Sequence, residues 1–189
     1  YSPDNEKNYA TAQRPPDEIP AIRSWMLSAL IRSDVEDTES RRLLLRHVSQ
    51  SYEPSSFVRY WTLAGLYHRR ASFLNEALDI ALKDSKAEVK ALARAIKSPD
   101  DAKLIEEFRR DLRASKYERV WKVLRVLRMF PIPMLANYVC AVLLKSEPGS
   151  PTSYDALYAL SNRAMAAEAV KIVHDHNEIE QVLAHVISA

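Results

Sequence analysis

Apolar positions recur at helical spacing along most of the chain. After Pro20, the positions Ile22, Trp25, Met26, Ala29 and Leu30 follow at steps of three and four, which predicts a helix. A second helix is predicted over about 38–51, with Leu43, Leu44, Leu45 and Val48 inward. From residue 55 the pattern repeats. Ser55, Ser85 and Ser115 stand 30 residues apart, each just before an apolar helix, where a serine oxygen accepts from an orphaned backbone N–H. Ser85-Lys86-Ala87-Glu88 and Ser115-Lys116-Tyr117-Glu118 both have the S-x-x-E form of a capping box.

The register continues down each helix. Trp61, Ala91 and Trp121 correspond, as do Leu63, Ala93 and Val123, and Leu66, Ile96 and Val126. In the following helix Leu74, Leu104 and Met134 align, then Leu78, Phe108 and Tyr138, then Leu82, Leu112 and Val142. These positions step by four along one helix face. Ser98-Pro99-Asp100-Asp101 predicts the second helix of the middle unit, with Ser98 as cap, Pro99 at the first helical position and the acids at the positive end of the dipole. The stretch from Ile22 to Leu30 matches Val58 to Leu66 at an offset of 36, so R-x-W occurs at Arg23/Trp25, Arg59/Trp61 and Arg119/Trp121, which takes in all three tryptophans.

Outside this core, Pro3, Pro15, Pro16 and Pro20 mark residues 1–20 as a linker or arm, because proline fixes φ and removes a donor. Ser146 to Pro151 reads as a loop, Thr152 to Asp155 as a helix start with Leu157, Tyr158 and Leu160 inward, and 177–188 as a last helix carrying Ile179, Val182, Leu183 and Val186. About five helix pairs result. The chain has only two glycines, Gly65 and Gly149, fewer than a doubly wound sheet or a β-sandwich needs for its turns. With 189 residues and 47% apolar content, one full core is possible.

The repeat resembles HEAT-like repeats of the short bacterial kind. Val58-Arg59 inside an apolar helix, Lys83-Asp84-Ser85 leading to Val89-Lys90, and Leu124 to Arg128 before Pro131 and Pro133 carry the likeness. It covers about 22–145 well and 152–189 loosely. Armadillo and tetratricopeptide repeats are the nearest competitors, but the period here is short of the 34 residues of the latter. The resemblance implies an all-α fold, a right-handed α–α superhelix of about five helix pairs, with 21–189 as one repeat domain. The helix over 57–68 is apolar nearly all round, with Arg59, Thr62 and His68 as exceptions, and is expected to be buried.

Charge changes the picture next. Residues 1–40 sum to −4, 41–130 to +9 and 131–189 to −3, so a basic middle lies between acidic ends. Arg119, Lys122 and Arg125 are expected on one face of the helix over 116–130, preceded by Arg109, Arg110 and Arg113. This stripe reads either as a contact for phosphates or an acidic partner, or as a solvated face paired to Glu106, Glu107, Asp111 and Glu118. The tryptophans, at repeat positions flanked by leucines, read as core. His174-Asp175-His176 with Glu178, Glu180 and His185 lacks a structural-zinc spacing and reads as a polar turn. Cys140, the single cysteine, sits among apolar residues and reads as a buried thiol.

Two glycines leave no phosphate loop and no dinucleotide fingerprint, and no nucleophile elbow is present. No cofactor, metal or catalytic residue is therefore expected. The single cysteine and the lack of an 18-residue apolar run or a leader point to a cytoplasmic protein off the membrane. The start at Tyr1 reads as a segment of a longer polypeptide. The expected function is a non-enzymatic scaffold, regulatory or sensor domain that binds a protein or a neighbouring domain of its own chain; such arrays accompany bacterial signalling NTPase domains. The alternatives are nucleic-acid binding through the stripe, as in the HEAT-like alkylpurine DNA glycosylases, and a maturation chaperone. No aspartate recurs beside the tryptophans as the glycosylase resemblance requires.

Overall fold

The computed structural model describes residues 18–33 and 37–171. The Pro-rich stretch over 1–17, the last predicted helix and the cluster from His174 to His185 lie outside them. Among the described residues the chain is all-helical: α1 (Glu18–Arg32), α2 (Thr38–Val48), α3 (Ser56–His68), α4 (Leu74–Ala81), α5 (Ala87–Lys97), α6 (Ala102–Leu112), α7 (Tyr117–Met129), a 3-10 turn (Pro133–Leu135), α8 (Ala136–Lys145), α9 (Pro151–Leu160) and α10 (Arg163–Val170). The contacts divide after Leu74 into two compact units. That is a finer division than the one repeat domain the register implies.

In the first unit α1 and α2 both pack on α3. The apolar α3 is buried as its composition demands: Val58, Tyr60, Leu63, Ala64 and Leu66 are inaccessible or nearly so. Its polar exceptions are satisfied internally. Thr62 donates to the Val58 carbonyl (2.8 Å), and the buried Arg59 donates to the carbonyls of Glu53 (2.7 Å) and Pro54 (2.9 Å). Gly65 lets α1 approach, since a Cβ there would stand 2.8 Å from Ile31 Cδ1. Glu53, itself 1% exposed, ties the unit together. It accepts from Arg23 Nε (3.0 Å) and Nη2 (2.9 Å) on α1 and from the Ser55 N–H (2.9 Å), and His47 Nδ1 of α2 lies 3.0 Å away. Burial pushes its carboxyl up, and His47 and Arg23 more than reverse this, holding it below the usual carboxylate range.

In the second unit, alternate helices stack. α5 packs on α7 and α7 on α9, while α6 packs on α8 and α8 on α10. α6 against α7 and α8 against α9 join the two sets. The core is leucine-rich: Leu92, Leu104, Leu124, Leu127, Leu135 and Leu143 are fully buried. Each contributes about 1.5–3 kcal/mol relative to exposure. Cys140 is buried here as expected. The only positive-φ glycine is Gly149 (φ 77°), in the loop before α9.

Several sequence expectations need correction. Pro20 lies inside α1, in its first turn, where its missing N–H removes no intrahelical bond. Trp25 is not core, being 78% exposed, whereas Trp61 and Trp121 are partly buried and the Trp61 indole nitrogen is inaccessible. In α1 the inward residues are Ser24, Leu27 and Ile31, while Ile22, Trp25 and Met26 are exposed. Ser55 does cap α3, but α5 and α7 begin one residue later than expected, with Lys86 and Lys116 at the cap position and no side-chain cap bond from either. Asp101, not Ser98, caps α6, accepting from the N–H of Lys103 (2.9 Å) and Leu104 (3.4 Å). Ser98 is instead the C-cap of α5. Met134 is 52% exposed because the 3-10 turn that begins at Pro133, just before α8, shifts the phase, and Leu135 takes the buried place. In α9 the buried residues are Ser153, Ala156 and Ala159, and Tyr158 is exposed beneath the Arg128 guanidinium (4.3 Å). Helix α10 was not anticipated. Asn162, which accepts from the Ala164 N–H (3.0 Å), was the available signal for its start.

Candidate functional site

The second unit carries an open groove of about 530 Å³ between α6, α7, α8 and the start of α9. One wall is a face of α8. Tyr138, Ala141, Val142 and Lys145 line it at positions i, i+3, i+4 and i+7, so one turn after another points the same way. The small turn residues Ala114 and Ser115, between α6 and α7, also line it, and the Ala114 N–H bonds the Asp111 carbonyl (3.1 Å). Leu112 and Val120 add apolar surface, and Asn137 and Thr152 add polar groups at the rim.

Two cations line the groove, Arg113 and Lys145, and no carboxylate does. Arg113 is the C-cap of α6, and its Nη2 donates to the Tyr138 hydroxyl (3.2 Å) while its guanidinium lies over that ring (4.8 Å). The Tyr117 phenol is pushed up from its usual range by burial and then by the charge of Asp155, so it stays a protonated O–H donor. Asp155 is itself raised by burial, against the pull of Arg128 and Arg125.

The six basic residues singled out from the sequence have different partners. Arg119 Nε (2.8 Å) and Lys122 Nζ (2.6 Å) both donate to Asp111, a residue only 3% exposed. Burial pushes the Asp111 carboxyl up, and Lys122 and Arg119 more than reverse it. Lys122 also reaches Glu107 (3.3 Å), which accepts from Arg94 (2.8 Å), so the charges form a ladder across α5, α6 and α7. Arg125 lies over the Trp121 ring (4.7 Å). Arg109 lies over Tyr138 (5.7 Å) and pairs with Glu106 (3.5 Å), and Arg110 is exposed. Only Arg113 belongs to the groove. Steps of three residues fall about 60° short of a full turn each time, so Arg119, Lys122 and Arg125 fan out instead of sharing a line.

The groove is hidden in the sequence because Tyr138 and Val142 match buried register positions. The α8 spacing with a lysine at its end was the signal present. Among the described residues no group of His, Cys, Asp or Glu is placed to hold a metal ion, and no helix is long and apolar enough to cross a membrane. Comparison with protein-family models, curated proteins and solved structures finds no match to the chain.

Proposed function

We propose that this chain is a non-enzymatic, protein-binding repeat domain of the HEAT-like kind, a right-handed α–α superhelix that serves as a scaffold or regulatory part of a larger protein. Its partner, a separate protein or a neighbouring domain of the same chain, occupies the groove beside α8. The groove carries this reading: its 530 Å³ are open, its wall is partly apolar, and its polar groups come from α7, α8, α9 and the turn after α6. No carboxylate, histidine or cysteine lines it to act as a general base or nucleophile. The repeat assignment is supported by the stacking of alternate helices within 75–171 and by the starts of α3, α5 and α7 at Ser56, Ala87 and Tyr117, which are 87 − 56 = 31 and 117 − 87 = 30 residues apart.

The test is site-specific photo-crosslinking in cells. A photoreactive side chain at Asn137, on the groove rim, is expected to give a discrete adduct with a partner polypeptide. The exposed Ala141, in the groove wall, is then replaced by tryptophan (Ala141→Trp), which fills the groove and should abolish the adduct. The same photoreactive group at Lys103, which does not line the groove, should give none. Adducts indifferent to Ala141→Trp sink the reading.

A further inference from the structure

The groove has a sign. Arg113 and Lys145 are its charged residues, and among the described residues neither has a carboxylate partner. Of the acids near Arg113 in sequence, Asp111 is engaged by Lys122 and Arg119, Glu107 is engaged by Lys122 and Arg94, and Glu118 does not line the groove. Arg113 is also held in place. One N–H bonds the Tyr138 hydroxyl and the ring lies beneath the guanidinium, so less side-chain freedom is lost when the remaining N–H groups meet a ligand.

We propose that the groove binds a short acidic peptide segment, whose carboxylate sits between Arg113 and Lys145 and whose adjacent aliphatic side chain rests on Val120 and Val142. This rests on the groove being the binding site. The chemistry favours a carboxylate-bearing peptide over a nucleic acid. Two cations neutralise about two phosphates, which gives a salt slope of only about −2 and little affinity. Half the groove is apolar, where a phosphodiester backbone gains nothing. The Tyr138 ring already stacks with Arg113 and Arg109, so it does not serve as a platform for bases. A peptide uses both halves, and the Tyr117 hydroxyl, which stays protonated, and Asn137 remain to meet its backbone carbonyls.

Fluorescence anisotropy with three labelled octapeptides tests this: alternating glutamate and leucine, alternating glutamine and leucine, and alternating lysine and leucine. The acidic peptide should bind at least about tenfold more tightly than the other two at physiological salt. Arg113→Glu with Lys145→Glu should lose at least about tenfold, and so should Ala141→Trp, which leaves the charges in place. Arg113 and Lys145 are both exposed, and circular dichroism on each variant confirms that the helices persist. If the glutamine or lysine peptide binds as well as the acidic one and Ala141→Trp removes that binding, the acidic class is overturned while the groove reading stands. If no peptide binding responds to Ala141→Trp, both fall.

Discussion

An arginine and a tryptophan two positions apart on a helix point about 200° away from each other. R-x-W therefore sends the two residues to different sides of the helix, and in this chain the arginine turns to partners on neighbouring segments. Arg23 meets Glu53, Arg59 meets the carbonyls of Glu53 and Pro54, and Arg119 meets Asp111. The recurrence of the motif reports a tie between a helix and the segment it packs on, with Trp25 exposed and Trp61 and Trp121 partly buried beside it. Asp111 shows how much such a tie carries. It is 3% exposed and satisfied by Lys122 and Arg119, so Asp111→Asn leaves a half-buried lysine facing a neutral amide. We expect a loss of about 2 kcal/mol in urea unfolding at pH 7, discounted from the usual cost of breaking a buried pair because Arg119 reaches solvent. The pH dependence follows from the lowered folded-state pKa of Asp111. Its contribution is complete above the unfolded value of about 3.9 and is lost as pH falls from there through the lowered folded value. Stability of Asp111→Asn should accordingly fall less steeply than wild type below about pH 4. Parallel acid limbs for the two proteins would show that Asp111 is not held this way.

The existence and order of most helices through residue 160 were legible in the sequence, because caps, prolines and periodicity are local signals. The phase of each helix was less so. In α1 every position from Ile22 to Leu30 apart from Arg23, Ser24 and Ser28 is apolar, so periodicity alone does not choose a face. The choice is made by tertiary contact: Gly65 of α3 admits Ile31, and Arg23 is drawn to Glu53, which together turn Trp25 outward. The proline-bounded 3-10 turn does the same to Met134, since no register arithmetic counts the residues that such a turn consumes. The phase of α1 can be measured. Leu27→Ala, at a residue 5% exposed, should cost about 3 kcal/mol, whereas Trp25→Gln should stay within about 0.5 kcal/mol of wild type in the same denaturation assay. A cost for Trp25→Gln equal to that of Leu27→Ala would return the tryptophan to the interior.

Across the whole chain, a charge of +9 over residues 41–130 suggests a polyanion partner only while the cations are counted singly. Folding gives several of these cations partners of their own, while the net charge of the stretch stays +9. Arg94, Arg119 and Lys122 are bound to carboxylates, and Arg109, Arg113, Arg125 and Arg128 lie over aromatic rings. The groove, by contrast, could not be read from charge runs, because its walls come from separate segments, 112–120 and 137–152, that meet only when α6 and α8 pack. A polyanion should therefore find few cations within one contact surface. For a twenty-base-pair duplex we expect a Kd weaker than about 100 μM at physiological salt, the weak end of non-specific binding, and a salt slope shallower than about −3. Arg110→Glu with Arg125→Glu, chosen to leave the Asp111 ties intact, should change neither value by more than about twofold. A slope near −6 that this pair of substitutions reduces would mean that the stripe works as one surface in solution, and the nucleic-acid reading would then displace the protein-binding one.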